Sequence, residues 1–327
     1  MLTYIGLTIL LFCLELIYIK IAKATNIKDN PNHRSAHTVP TLRGGGIVFI
    51  IGIILYSIFY PITYQFLIFS IGALLVALIS FVDDLITLSS KVRTLIHVTA
   101  LGLLFYSLGM FSISSPITIV ILIIAFILAL GFLNIYNFMD GINGITFLNS
   151  FAVYGALLYI NNFVVTFANS NILIILIIAS LVFGFFNFRK KAICFAGDIG
   201  SITVGFTIIY FVIKLYVKTN SLLVFLLISV YLIDGGWTII ERLLRRENIF
   251  EAHKRHLYQI LANNFGYNHL LISTIYFIIQ VTLSCITIFC LPNTKNANGI
   301  AIVTFGLASL IYIFYKKSVL QKADKLN

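Results

Sequence analysis

The sequence predicts an all-α membrane protein of about eleven transmembrane helices, with its amino terminus outside and its carboxyl terminus in the cytoplasm. Three observations predict it. The 327 residues are 60% hydrophobic and only 10% charged, whereas soluble domains carry about a quarter charged residues. The apolar residues fall in runs near twenty long, enough for a helix to cross a hydrocarbon core of about 30 Å. The runs are continuous rather than alternating, which selects helices over a closed barrel.

The expected spans are 2–22, 44–61, 64–82, 95–111, 116–134, 143–160, 171–188, 200–217, 221–240, 270–291 and 299–315. The first lacks a basic start and an Ala-x-Ala-like cleavage site, so it reads as a helix rather than a signal peptide. Cys13, Cys194, Cys285 and Cys290 show no metal or disulfide spacing. The connections around Pro61, Ser114, Asn161, Thr219 and Asn293 are tiny and nearly uncharged. The segments 23–43, 83–94, 135–142, 189–199, 241–269 and 316–327 carry the charge. The two classes alternate. The charged class holds 18 of the 22 Lys and Arg residues, and the positive-inside rule assigns it to the cytoplasm. The net charge of +11 therefore reads as topology and contact with anionic lipid, not as nucleic-acid binding. No internal repeat or long linker appears, so the chain reads as one membrane domain, 1–327. A transporter needs polar residues near the bilayer midplane, and only Glu15 and His97 are interior candidates, with Asp234 placed toward a span end.

Of eleven acidic residues, four exceed what topology requires: Asp83, Asp84, Asp140 and Asp198, each where a span meets the charged face. Adjacent carboxylates such as Asp83 and Asp84 repel, and beside hydrocarbon they need a compensating cation or proton; solvated helix-end charges are the plainer reading. Asp140 sits in NIYNFMDGINGI with Asn134, Asn137 and Asn143. That set suits a metal-bound phosphate or a sugar hydroxyl, or else a helix cap and turn. Asp198 lies in CFAGDIGS, where small residues admit a diphosphate and a carboxylate can ligate Mg²⁺; a helix N-cap fits this motif about as well. The first charged loop offers His33, Arg34, His37 and Arg43 ahead of Gly44–Gly46, as phosphate ligands or as a topogenic loop with a helix-packing face. His253 and His256 are three apart in AHKRHLYQ and share a face if that loop is helical. Basic and His-rich loops beside interfacial carboxylates suit a Mg²⁺-dependent reaction on a phosphate-rich, membrane-borne substrate.

At these residues the sequence resembles the polyprenyl-phosphate N-acetylhexosamine-1-phosphate transferases. The matching motifs are PNHRSAH with PTLRGGG, FVDDL with Lys91 downstream, NIYNFMDGINGI, FAGDIGS and AHKRHLYQ, in family order over residues 31–260. The resemblance implies ten or eleven helices and transfer of a sugar 1-phosphate from a UDP-N-acetylhexosamine to undecaprenyl phosphate, with release of UMP, in a bacterial inner membrane. It implies Mg²⁺, with Mn²⁺ as the alternative ion, and allows a homodimer. By position, Asp198 corresponds to the metal ligand, Asp83 to the group that activates the lipid phosphate, and Asp84 to its support. Asn137 and Asp140 correspond to the residues that hold the nucleotide-sugar, Asp140 counting with Asp83 and Asp84 as catalytic and Asn134 as a further substrate contact; Asn187 corresponds to a uracil contact, Lys91 to a phosphate ligand, and His253 and His256 to diphosphate or sugar contacts. A run of consecutive histidines marks the pentapeptide translocases, and HKRH stands there instead. That departure points to the branch that starts O-antigen and related surface polysaccharides. Lys190 and Ala196 depart from the family pattern before Asp198.

Overall fold

A computed structural model of the chain describes residues 2–31, 39–112, 115–248, 254–292 and 295–323. Each expected span falls on a helix. These are α1 (Leu2–Ala24), α2 (Ile47–Phe59), α3 (Tyr64–Leu85), α4 (Ser90–Ser107), α5 (Pro116–Phe138), α6 (Ile145–Phe163), α7 (Ser170–Asn187), α8 (Gly197–Thr219), α9 (Ser229–Leu244), α11 (His269–Cys290) and α12 (Ala297–Ala323). A 3₁₀ segment, Leu222–Ile228, leads into α9, and a short helix, α10 (Leu257–Asn263), precedes α11. Among the described residues eight helical runs are long and apolar enough to cross a membrane.

Several boundaries differ from the sequence expectation. Helix α4 begins at Ser90, five residues early, because the Ser89 hydroxyl accepts the Val92 N–H as an N-cap. Hydropathy had left the polar start SKVR in a loop. Helix α5 continues to Phe138, so Asn134 and Asn137 are helical rather than in a turn. Helix α8 starts at Gly197 and takes Asp198 into its first turn.

Helix α8 is the axis of the bundle. Of its apolar window 89% is buried, against 17% for α5 and 11% for α12 at the rim. Its small residues permit close approach. A Cβ on Gly46 would lie 2.2 Å from the Gly200 Cα, so the segment before α2 touches α8 backbone to backbone. One short β ladder departs from the all-α pattern. Lys28–Asp29 pairs antiparallel with Thr41–Leu42, Leu42 bridges to Cys194, and the Gly45 and Gly46 N–H groups donate to Phe195 O (2.8 Å) and Ala196 O (3.0 Å). Gly44 supplies the φ of +86° at this turn. These bonds clip the first charged loop onto the segment before α8 and set Arg43 beside the start of that helix. The packing reading of Gly44–Gly46 is the one the backbone displays.

Candidate active site

Asp83 and Asp84 end α3 and diverge. Successive helix positions point about 100° apart. Asp84 turns inward, its side chain fully buried. Its Oδ1 accepts the Asp198 N–H (2.9 Å) and its Oδ2 the Ile199 N–H (3.0 Å). Asp84 is thus the carboxylate cap of α8, satisfying N–H groups the helix cannot serve itself and meeting the positive end of its dipole. The N-cap position is Ala196, so Asp198 is not the cap of its own helix. Gly197 has φ +71°, and a Cβ there would lie 2.5 Å from Asp84 Oδ2.

Asp83 turns the other way. Its Oδ1 accepts the Leu88 N–H (2.7 Å), and its Oδ2 accepts from Arg93 Nη1 (2.6 Å). The same Arg93 nitrogen lies 3.4 Å from Asp198 Oδ2. Arg43 closes the other side, with Nε 2.6 Å from Asp84 Oδ1 and Nη2 2.8 Å from Asp198 Oδ1. Burial works against the Arg43 charge, but Asp84 and Asp198 outweigh it and raise its pKa above the ordinary guanidinium value. Three carboxylates and two guanidinium groups therefore form one chain of contacts, Arg43–Asp84/Asp198–Arg93–Asp83.

This chain borders a cleft of ≈ 220 Å³ whose lining includes Asp198, Arg93, His97, Asn134 and Asn137. Asn137 accepts the Ser201 hydroxyl (2.7 Å) from α8. Asn134 is exposed and donates to Leu130 O (2.9 Å). His97 is 6% exposed, and its Nε2 has no hydrogen-bond partner among the described residues. Asp140 follows α5, half-buried, and accepts the Thr146 hydroxyl (2.5 Å). Burial pushes its pKa up to about 6, against the pull of that hydrogen bond.

Other expected site residues lie elsewhere. Lys91 is exposed on the first turn of α4, and Arg93 is the cation that reaches the carboxylates. Asn187 is 3% exposed, with its Oδ1 on Gly144 N (2.7 Å) and its Nδ2 on Cys194 O (2.9 Å). Both ends of that carboxamide tie loops together. His33, Arg34, His37 and His253 lie outside the described residues. His256 is the N-cap of α10, and residues 254–255 are not helical.

His256 is 1% exposed and pairs with Asp234, its Nδ1 3.2 Å from Oδ1. Asp234 lies inside α9, not toward the end of a span, and is 1% exposed. It also accepts from Leu257 N (3.2 Å), Tyr276 OH (2.6 Å) and Tyr312 OH (2.9 Å). This hub fixes α10, whose Tyr258 hydroxyl donates to Phe138 O (2.6 Å), two residues before Asp140. A Cβ on Gly141 would meet that hydroxyl at 2.3 Å. The last charged loop thus braces the NFMDG segment. Arg43, Arg93, Tyr258 and Asp234 carry these connections. Only Arg43 was picked out by sequence as a site residue: Tyr258 and Asp234 take partners far away in the chain, and Arg93, 10 positions from Asp83, stands in the polar start of α4 that hydropathy left in a loop.

For a metal, the donor set is all oxygen. No group of three His, Cys, Asp or Glu residues with metal-holding geometry occurs among the described residues. Mg²⁺ asks for less: one or two carboxylates, with substrate phosphates and water completing its shell. Asp198 meets that requirement, since it lines the cleft with its side chain 15% exposed, and Asp83 shares the Arg93 nitrogen beside it. Asp84 does not, because it is committed to the α8 backbone.

Fold and site define a polytopic helical membrane protein that gathers carboxylates and guanidinium groups at one end of its central helix. Residues 66–216, from α3 through α8, match the model of glycosyl transferase family 4. It is similar to the probable undecaprenyl-phosphate N-acetylglucosaminyl 1-phosphate transferase of Bacillus subtilis (strain 168), with 27% identity over 277 residues, covering 76% of this chain and 73% of that protein. It is also similar to the phospho-N-acetylmuramoyl-pentapeptide-transferase of Streptococcus pneumoniae (strain CGSP14), with 28% identity over 202 residues. That match covers 54% of this chain and 60% of the relative's length.

Proposed function

We propose that the chain transfers an N-acetylhexosamine 1-phosphate from a UDP-sugar to undecaprenyl phosphate, releasing UMP, as the first step of surface-polysaccharide synthesis. The observation that carries the reading is the Asp83–Arg93–Asp198–Arg43 chain beside a cleft lined by Asn134 and Asn137. Guanidinium forks suit phosphate oxygens, and carboxylates among them suit a reaction that must bring two anionic phosphates together. The Bacillus relative, named for N-acetylglucosamine 1-phosphate transfer to undecaprenyl phosphate, supports that substrate pair.

In this reading Arg93 and Arg43 move from carboxylate to phosphate as substrates arrive. Asp83 orients the lipid phosphate and takes its proton when it carries one. An oxygen of the lipid phosphate attacks the phosphorus bonded to the sugar O1. The bond from that phosphorus to the bridging oxygen breaks, and UMP leaves. Asn134, Asn137 and Asp140 hold the nucleotide-sugar. Asp198 would hold Mg²⁺, or Mn²⁺ in its place, and the ion would supply charge neutralisation for the diphosphate. The charged face is the cytoplasmic face of a bacterial inner membrane.

The pneumococcal relatives favour a second reading, transfer of phospho-N-acetylmuramoyl-pentapeptide. One assay separates the two: purified protein, polyprenyl phosphate, Mg²⁺, and radiolabelled UDP-N-acetylglucosamine, UDP-linked 6-deoxy-N-acetylhexosamines or UDP-N-acetylmuramoyl-pentapeptide. UMP release with an unsubstituted N-acetylhexosamine is expected. Release with the pentapeptide substrate alone moves the chain to the second reading, and no release with any sugar refutes both.

A further inference from the structure

On the side of α9 away from the cleft, two helix faces meet loosely. Trp237, Ile240 and Leu244 of α9 face Tyr312, Ile313 and Leu320 of α12 across a groove of ≈ 290 Å³. The apolar walls are open: Leu244 is 81% exposed and Ile240 42%. In a bilayer such a groove holds acyl chain. Its charged end decides which lipid. Arg245, Lys316 and Lys317 stand there, and a smaller adjoining recess adds Lys254 and Arg255. Among the described residues lining the two, five cations stand against one carboxylate, Glu241, and Arg255 also pairs with Glu247 outside them at 2.7 Å. Lys316 is fixed, its Nζ 2.8 Å from Thr238 Oγ1 and 3.1 Å from Glu241 Oε2. Arg245 reaches the same carboxylate at 2.9 Å while its side chain stays 52% exposed.

We infer that the α9–α12 groove binds an anionic glycerophospholipid, with one acyl chain along Trp237, Ile240 and Leu244 and the phosphodiester on Arg245 and Lys317. The surplus positive charge complements a net-negative headgroup. A zwitterionic headgroup brings its own ammonium into that field and gains less. A guanidinium beside an ammonium suits a phosphodiester, and an indole beside them suits the interface, where Trp side chains concentrate. The inference does not depend on the reaction proposed above.

Trp237 is the only tryptophan of the chain, so its fluorescence reports this groove alone. The full chain is placed in phosphatidylcholine nanodiscs doped with a minor fraction of acyl-brominated phosphatidylglycerol or, at the same fraction, brominated phosphatidylcholine. Two interfacial cations give an enrichment of roughly 30-fold, about fivefold each, so the glycerol lipid quenches Trp237 far beyond its mole fraction. Arg245→Gln combined with Lys317→Gln lowers its quenching to that of the choline lipid. If that pair shifts the unquenched emission, Lys317→Gln alone is measured and loses about fivefold. Equal quenching by the two lipids in the wild type overturns the inference, as does an unchanged preference in the variants. Relief of quenching by polyprenyl phosphate but not by unlabelled phosphatidylglycerol also overturns it and gives the groove to the substrate lipid.

Discussion

Substituting Asp84 by Asn separates a carboxylate that builds the site from one that works in it. Asp84 accepts two N–H groups of α8 and pairs with Arg43. An Asn keeps one carbonyl oxygen and turns its NH₂ toward the other N–H. One buried donor is then unsatisfied, which costs about 1–3 kcal/mol. The lost charge-assisted contact to Arg43 adds roughly 1 kcal/mol, discounted because Arg43 is 30% exposed and retains Asp198. The sum, about 2–4 kcal/mol, shifts the unfolding equilibrium by about 30- to 1,000-fold. Asp198→Asn has a different signature. Its side chain is 15% exposed, and both arginines keep other carboxylates, Arg43 on Asp84 and Arg93 on Asp83. Its stability should stay within about 1 kcal/mol of wild type, while turnover is lost. The assay is the monomeric fraction surviving a temperature series in detergent, alongside UMP release. Wild-type thermal survival of Asp84→Asn would refute the capping argument, and near-normal turnover of Asp198→Asn would remove Asp198 from the site.

Arg93→Ala should abolish UMP release, whereas Lys91→Ala, exposed two residues earlier on another face of α4, should change it less than about fivefold; the reverse ranking would return the phosphate contact to Lys91. Tyr258→Phe removes the brace on Phe138 O. It should cost about 1 kcal/mol of stability and raise KM for the UDP-sugar more than for polyprenyl phosphate, and equal changes in the two constants would disconnect α10 from the NFMDG segment. Asp140 has its pKa raised by burial to about 6. Its neutral form is the one the fold favours, so its contribution to stability is complete below the ordinary carboxylate range near 4 and is lost as pH rises through about 6. Relative to Asp140→Asn, the wild type should lose thermal stability between pH 4 and 7, and parallel pH profiles for the two proteins would contradict that origin.

The helices were legible because lipid demands long apolar runs, and all eleven expected runs fall on helices. The gathering of Asp83, Asp198, Asn137 and Arg43 was legible because each lies in a short polar motif between such runs. What sequence hid follows from geometry. Asp83 and Asp84 read as a pair, but a helix sends neighbours to different faces, one onto Arg93 and one into the α8 backbone. Arg93 was overshadowed by Lys91 because helix α4 starts before the apolar run does. Asp234 read as a minor charge near a span end. Its partners His256, Tyr276 and Tyr312 lie 22, 42 and 78 positions further on, a distance no local pattern covers. Asn187 read as a ligand because a carboxamide near a motif looks available, and only the fold engages both of its ends with backbone.

The clip between the first charged loop and the start of α8 also bears on how the protein is made. Arg43 enters the membrane system 155 residues before Asp198, and Asp84 114 residues before the N–H groups it caps. At about 5–20 residues per second, Asp84 waits roughly 6–23 s for its helix. During that interval two guanidinium groups and two carboxylates have no completed fold around them. Their position at the ends of apolar runs lets water solvate them until α8 arrives, which the bilayer interior would not do. The edge of the membrane is therefore the one depth at which this cluster can be both chemically charged and safely unassembled.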